Sequence, residues 1–126
     1  MADWNDLASD NYSAANLLVQ EEHDRSGVSR AYYAAYSRVT GALKLCGGVV
    51  MPIGREGPAH AKAPEFVEKH LTALGRKRWQ LSSLLRTLYT MRRAADYQPS
   101  APVGNADGRM ALLLMSEVFK LTKEVF

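Results

Sequence analysis

The chain has 126 residues and a net charge of +3, which suits one domain, residues 1–126, with a single core. Its 47% hydrophobic and 23% charged residues are typical of a globular protein, and no apolar run approaches the ~20 residues that span a membrane. The acidic N-terminus lacks the basic region of a secretory signal, and one cysteine with three scattered histidines gives no zinc-ligand spacing. We therefore expect a cytoplasmic protein with no metal and no cofactor, in which Cys46 is buried.

Helical periodicity dominates the sequence, and strand signals are absent. The predicted helices, in chain order, cover residues 3–22, 27–45, 64–74, 79–97 and 107–125. Ser26 is the expected N-cap of the second helix, and Gly47 and Gly48 are expected to end it. Residues 47–63 form the longest predicted loop. Short connections between long helices predict an all-α fold, an antiparallel bundle of four to five helices.

The charges are segregated along the chain. Residues 1–24 hold six acidic residues and no Lys or Arg, whereas residues 69–95 hold seven basic residues and no acidic one. The basic segment predicts a positive surface that can attract phosphate. Alternatively, the acidic segment packs beside the basic one and neutralises it.

The second predicted helix carries a polar strip opposite its main apolar stripe. The strip consists of Arg30, Tyr33, Ser37 and Lys44. It is either part of a binding site or a solvated face in which tyrosines pack under long side chains. The apolar residues extend to a second face of this helix, so we expect it to be central in the bundle.

The fourth predicted helix carries a polar group near its end. Its apolar seam consists of Leu81, Leu84, Leu88, Met91 and Ala95. At roughly 100° per residue, Arg92 lies about 70° from the centre of that seam, and Asp96 can face it across one turn. A guanidinium at the edge of a core needs a partner, so we expect Asp96 to pair with Arg92, with Arg30 competing for the carboxylate. Arg93 and Tyr97 are expected to point away from the core.

Three pieces of sequence, in order, resemble the HEPN superfamily of small all-α domains. The segment GVSRAYYAAYSRVTGALKLCG at 27–47 is similar to the family's second helix and its closing glycine. His60, six residues before Phe66, is similar to a histidine that precedes the third helix. The segment LYTMRRAADYQP at 88–99 is similar to the Arg-x-x-Ala-Asp-Tyr signature of one branch, and the match as a whole covers about residues 5–122.

The resemblance implies a helical bundle that usually dimerises and has a cleft between the second and fourth helices. Many members of the family are metal-independent ribonucleases, marked by an arginine, four to six residues, and then a histidine. The histidine transfers protons at the ribose 2′-hydroxyl and the leaving oxygen, and the arginine stabilises charge on the phosphate. Some members are toxins controlled by a small nucleotidyltransferase.

This sequence departs from the ribonuclease signature. The four-residue spacing from Arg92 leads to Tyr97, and the longer spacings lead to Gln98 and Pro99, so the usual histidine is missing. A tyrosine, with a pKa of about 10, is a poor general base at neutral pH. His60 can take that role only if the loop 47–63 folds back over Arg92.

We therefore expect a nucleotide- or RNA-binding module that forms a homodimer and pairs with a nucleotidyltransferase-type partner, as in toxin–antitoxin pairs. The expected binding residues are Arg30, Tyr33, Arg92, Asp96, Arg76, Lys77 and Arg78. Tyr97 is a candidate for modification by the partner. One alternative is a ribonuclease toxin in which Arg92 binds the scissile phosphate and His60 or Tyr97 transfers protons. Another is a purely structural dimerisation domain, with Arg92 and Asp96 as a helix-end ion pair.

Overall fold

The computed structural model describes residues 3–46, 51 and 57–126. These residues form α-helices and short 3₁₀ turns, with no strand among them. The α-helices are α1 Trp4–Gln20, α2 Asp24–Leu45, α3 Ala63–His70, α4 Lys77–Tyr97 and α5 Asn105–Thr122. The prediction of an all-α helical bundle is confirmed. No helix in the described ranges combines the length and hydropathy needed to cross a bilayer.

Helix α2 is the centre of the bundle, as its two apolar faces predict. It packs against α1, α3, α4 and α5. Tyr32, Val39 and Leu43 are fully buried along it, and small residues allow its neighbours to approach closely. At Gly27, an added Cβ would lie 2.5 Å from Val19 Cγ2, so α1 and α2 meet where no side chain fits. Any residue on the polar strip of α2 is therefore held by a well-packed helix.

The ends of the helices differ from the predictions by a few residues. A capping box fixes the start of α1, because the Asp6 amide donates to Asp3 Oδ1 and the Asp3 amide donates to Asp6 Oδ2. The prediction of Ser26 as the N-cap of α2 is wrong, since α2 starts at Asp24. The chain reverses at Glu22, whose φ of 64° is left-handed, and this tight turn lets the new helix begin at once.

The second half of the chain supplies the helix that carries the predicted polar group. Leu81, Leu85 and Leu88 of α4 are buried, and the helix ends at Tyr97, as its approach to Pro99 predicts. Gly75, with a φ of +58°, makes the turn that precedes α4. Helix α5 begins at Asn105, two residues earlier than predicted.

Two expectations about the end of α2 had different outcomes. Cys46 is exposed, so the prediction that it is core filler is wrong. Leu45, the last residue of α2, is exposed as well, whereas Leu43 is buried. The expected stop at Gly47 and Gly48, and most of the predicted loop 47–63, lie outside the described residues. From residue 57 the chain is described again, and Tyr36 Oη donates to the Pro58 carbonyl, so the segment around Pro58 is anchored on α2.

Candidate functional site

Arg92 is the centre of a polar cluster between α2 and α4. Only 11% of its side chain is exposed. Its Nη2 donates to Tyr33 Oη at 2.7 Å and to Tyr97 Oη at 3.2 Å. Its Nε lies 3.0 Å from Asp96 Oδ2, an ion-pair distance, but the Nε–H does not point at an acceptor well enough to form a hydrogen bond. We call Tyr33, Arg92, Asp96 and Tyr97 the arginine–tyrosine cluster.

The guanidinium of Arg92 also contacts aromatic rings. Its Cζ lies 5.3 Å from the ring centroid of Tyr33 and 5.1 Å from that of Tyr97. Burial lowers the pKa of Arg92, but Tyr33, Tyr97 and Asp96 together raise it by more than burial lowers it. The pKa of Arg92 is therefore above its ordinary value. The group is therefore a permanent cation, held in a fixed orientation by hydroxyl groups and rings.

Asp96 connects the two helices, although not through the residue expected from the sequence. Ser29 Oγ donates to Asp96 Oδ2 at 3.1 Å. Arg30, the expected competitor, instead donates to Asn11 Oδ1 on α1 at 3.2 Å, so that expectation is wrong. One residue along a helix turns the side chain by about 100°, which brings Ser29 to α4 and takes Arg30 towards α1.

His60 lies against the tyrosines of α2, within a second group that we call the tyrosine–histidine cluster: Tyr32, Tyr36, His60 and Tyr89. Its ring centroid is 4.4 Å from that of Tyr36 and 5.5 Å from that of Tyr32. Its Nδ1 is 2.8 Å from Tyr32 Oη. Burial raises the pKa of Tyr32 far above its ordinary value, so that hydroxyl stays protonated and can donate to Nδ1.

Tyr33 of the arginine–tyrosine cluster connects the two clusters, because it also contacts His60. Its ring centroid is 5.7 Å from that of His60 and 5.3 Å from Arg92 Cζ, so the imidazole and the guanidinium are no more than about 11 Å apart. The last part of the predicted loop 47–63 thus brings His60 to Tyr33, one of the two tyrosines that hold Arg92. Sequence distance alone, 32 residues, gave no measure of this proximity.

The basic turn lies elsewhere on the molecule. Arg76, Lys77 and Arg78 are at the start of α4, and Lys77 is 15 residues from Arg92, or roughly 22 Å at 1.5 Å per residue. Lys77 pairs with Glu124 at 3.0 Å. The predicted set of binding residues is therefore divided among three locations. Tyr33, Arg92 and Asp96 lie at one end of α4, the basic turn lies at the other end, and Arg30 lies against α1.

Arg25 is a residue whose importance the sequence analysis missed. Its guanidinium donates to backbone carbonyls at distances between 2.5 and 3.2 Å, namely those of Ala94, Ala95, Gln98, Pro99 and Ala101. These carbonyls surround the C-terminal end of α4, where a cation is favoured by the helix dipole. Arg25 therefore holds the turn that carries Asp96 and Tyr97. Backbone acceptors leave no signal in a sequence, which explains the omission.

The fold and the site define an all-α helical bundle in which an arginine, held by two tyrosines and an aspartate, lies between α2 and α4. No family model, no curated protein and no solved structure matches this chain. The chemistry of the arginine–tyrosine cluster is thus the basis for assigning a function.

Proposed function

We propose that this protein is a HEPN-like module that binds a nucleotide or RNA at the arginine–tyrosine cluster. The observation that carries the proposal is the guanidinium of Arg92, fixed beside the ring of Tyr97, which is 64% exposed. A fixed guanidinium makes strong charge-assisted hydrogen bonds to phosphate, and an exposed aromatic ring stacks on a base. Arg92 and Tyr97, which are adjacent at the end of α4, therefore suit the phosphate and the base of a nucleotide.

Asp96 competes with a phosphate for the guanidinium of Arg92. Its carboxylate already balances the charge of Arg92, and Ser29 holds it in place. A phosphate must therefore compete with a carboxylate for the same guanidinium. Removing the charge of Asp96 weakens the ion pair and leaves Arg92 more available to an anion. The binding proposal thus predicts that Asp96→Asn binds RNA more tightly than the unaltered protein.

The test uses fluorescence anisotropy with a labelled dinucleotide of RNA. We expect Arg92→Ala to weaken binding by at least tenfold, since a charged hydrogen bond contributes about 1.5–3 kcal/mol. Arg109→Ala, which removes an exposed arginine from α5, is the matched control and should bind as before. If Asp96→Asn and Arg92→Ala both lower the melting temperature and neither alters affinity, the cluster is the structural ion pair of a dimerisation domain.

A second candidate function, a metal-independent ribonuclease, is favoured by the position of His60. In this proposal Arg92 binds the scissile phosphate, and His60 or Tyr97 transfers protons. The test is incubation with tRNA or mRNA of the unaltered protein and the variants Arg92→Ala, His60→Ala and Tyr97→Phe. Cleavage abolished by Arg92→Ala and by one of the other two substitutions supports this function. Absence of cleavage by the unaltered protein rejects it.

The resemblance to HEPN domains also supports a homodimer and a nucleotidyltransferase-type partner, as in a toxin–antitoxin pair. The hydroxyl of Tyr97, a residue that is exposed, is the candidate acceptor for modification by that partner. Sedimentation at micromolar concentration tests the homodimer, and a monomer would contradict it. A gene for a small nucleotidyltransferase beside the gene for this protein would favour the partner, and mass measurement after co-expression would reveal a modified Tyr97.

A further inference from the structure

The outward side of α4 has a regular pattern of exposed side chains. Trp79 and Tyr97 are 18 residues apart, which is about five complete turns at ~3.6 residues per turn, so both project from the same side of the helix. Arg86, Thr90 and Arg93 are exposed on that side between them. We call these five residues the α4 outer face. Along the helix axis the face is roughly 27 Å long at ~1.5 Å per residue.

Each end of the α4 outer face pairs an exposed aromatic ring with a guanidinium. Trp79 is 51% exposed, and Arg78 Cζ lies 5.2 Å from its ring centroid. Tyr97 is 64% exposed, and Arg92 Cζ lies 5.1 Å from its ring centroid. Each ring is open enough for a base to stack on it, and each has a cation beside it that can meet a phosphate.

The α4 outer face carries basic residues and no acidic one. No acidic residue occurs in α4 before Asp96, and Asp96 forms an ion pair with Arg92. Arg86 is compensated by Glu68 of α3 at 3.0 Å. Within the described ranges, neither Arg78 nor Arg93 has a carboxylate at ion-pair distance. Two arginines are thus left to interact with an external anion.

We propose that the α4 outer face binds single-stranded RNA along its length, from Trp79 to Tyr97. This inference rests on the proposed function, because the Arg92 end of the track is the arginine–tyrosine cluster. The length matches about eight nucleotides at the ~3.4 Å spacing of a stacked strand, and fewer when the strand is extended. Aromatic side chains need an open base face, so the strand must be unpaired at Trp79 and Tyr97.

The experiment compares a labelled RNA dinucleotide with an eight-nucleotide single strand by anisotropy. The octamer should bind more tightly than the dinucleotide. Trp79→Ala should weaken binding of the octamer about 5- to 150-fold, the range for loss of one stacked base, and leave dinucleotide binding unchanged. Arg93→Ala should weaken octamer binding and reduce its salt slope by ~0.7. Arg109→Ala, with the same charge change on α5, should match the unaltered protein in both. Thermal melts of all variants verify folding.

Other outcomes separate this inference from the proposed function. A dinucleotide that needs Arg92, with an octamer that binds no more tightly and ignores Trp79, overturns the track and leaves the proposed function intact. An octamer that needs Trp79 and Arg93 while Arg92→Ala has no effect supports an RNA surface and rejects the Arg92 site. If polyglutamate binds as tightly as the octamer and also needs Trp79, the face is assigned to an acidic protein, and the RNA track is overturned. Loss of a dimer in Trp79→Ala, with RNA affinity unchanged, assigns the face to a second copy.

Discussion

Replacement of Arg25 by methionine should destabilise the protein strongly, although Arg25 is only partly buried. The substitution keeps an unbranched apolar stem and removes the guanidinium. Contacts with Gln98 and Pro99 are exposed, so water can replace the lost donors there. Contacts with Ala94, Ala95 and Ala101 are partly buried, but the Ala94 carbonyl also accepts from the Gln98 amide and stays satisfied. The other two carbonyls lose their donor, at a cost of about 1 kcal/mol each. The expected loss is therefore about 2 kcal/mol of unfolding free energy.

Urea unfolding followed by circular dichroism measures this loss. With a slope of about 2 kcal/mol/M, the midpoint should fall by ~1 M. At about 4 °C per kcal/mol, the melting temperature should fall by roughly 8 °C. Arg25→Lys should recover only about half of the loss, because a single ammonium cannot reach carbonyls spread around the helix end.

Arg30→Met is the matched control for this experiment. Arg30 is on the same helix, is exposed and donates only to Asn11. Its replacement should cost less than about 0.5 kcal/mol. If Arg25→Met is as stable as Arg30→Met, the carbonyl contacts do not stabilise the end of α4, and the assignment of Arg25 as the residue that holds Tyr97 is refuted.

Three further predictions concern packing and charge. Gly27→Ala should cost about 1 kcal/mol in urea unfolding, because strain against the buried β-branched Val19 exceeds the gain in helix propensity; an increase in stability would contradict this. Asp96→Asn should cost about 1–2 kcal/mol by leaving Arg92 without a counter-charge, and an unchanged melting temperature would show the ion pair to be inert. Since folding raises the pKa of Tyr32, stability should fall as pH rises above about 10, where the unfolded chain loses that proton. In Tyr32→Phe, which has no proton to lose there, stability should fall less over that range; an identical fall in both proteins would contradict the assignment.

The local features of this protein could be predicted from its sequence. Periodicity identified the helices, and the i, i+4 spacing brought Arg92 and Asp96 together. The helical rise also predicts that the basic turn lies far from Arg92, although both are basic parts of the same segment. Exact helix starts were less accessible, because the φ of Glu22, which no residue type dictates, fixes the start of α2.

The long-range features could not be predicted. Whether Ser29 or Arg30 faces Asp96 depends on the rotation of α2 relative to α4, which neither helix specifies alone. The position of His60 depends on how Gly57 and Pro58 pack on α2, and the role of Arg25 depends on carbonyls that every residue possesses. Such features become visible only when the helices are docked.

The contacts of Arg25 have a consequence for the order of events during synthesis. They join residues 69 to 76 positions apart, so α2 leaves the ribosome long before its last partner, Ala101, has been made. At about 5–20 residues per second, the delay is roughly 4–15 s. Throughout that interval the early helices can pair while Tyr97 has no fixed position. A nascent chain arrested before Ala101 should thus contain folded helices and yet lack a competent arginine–tyrosine cluster.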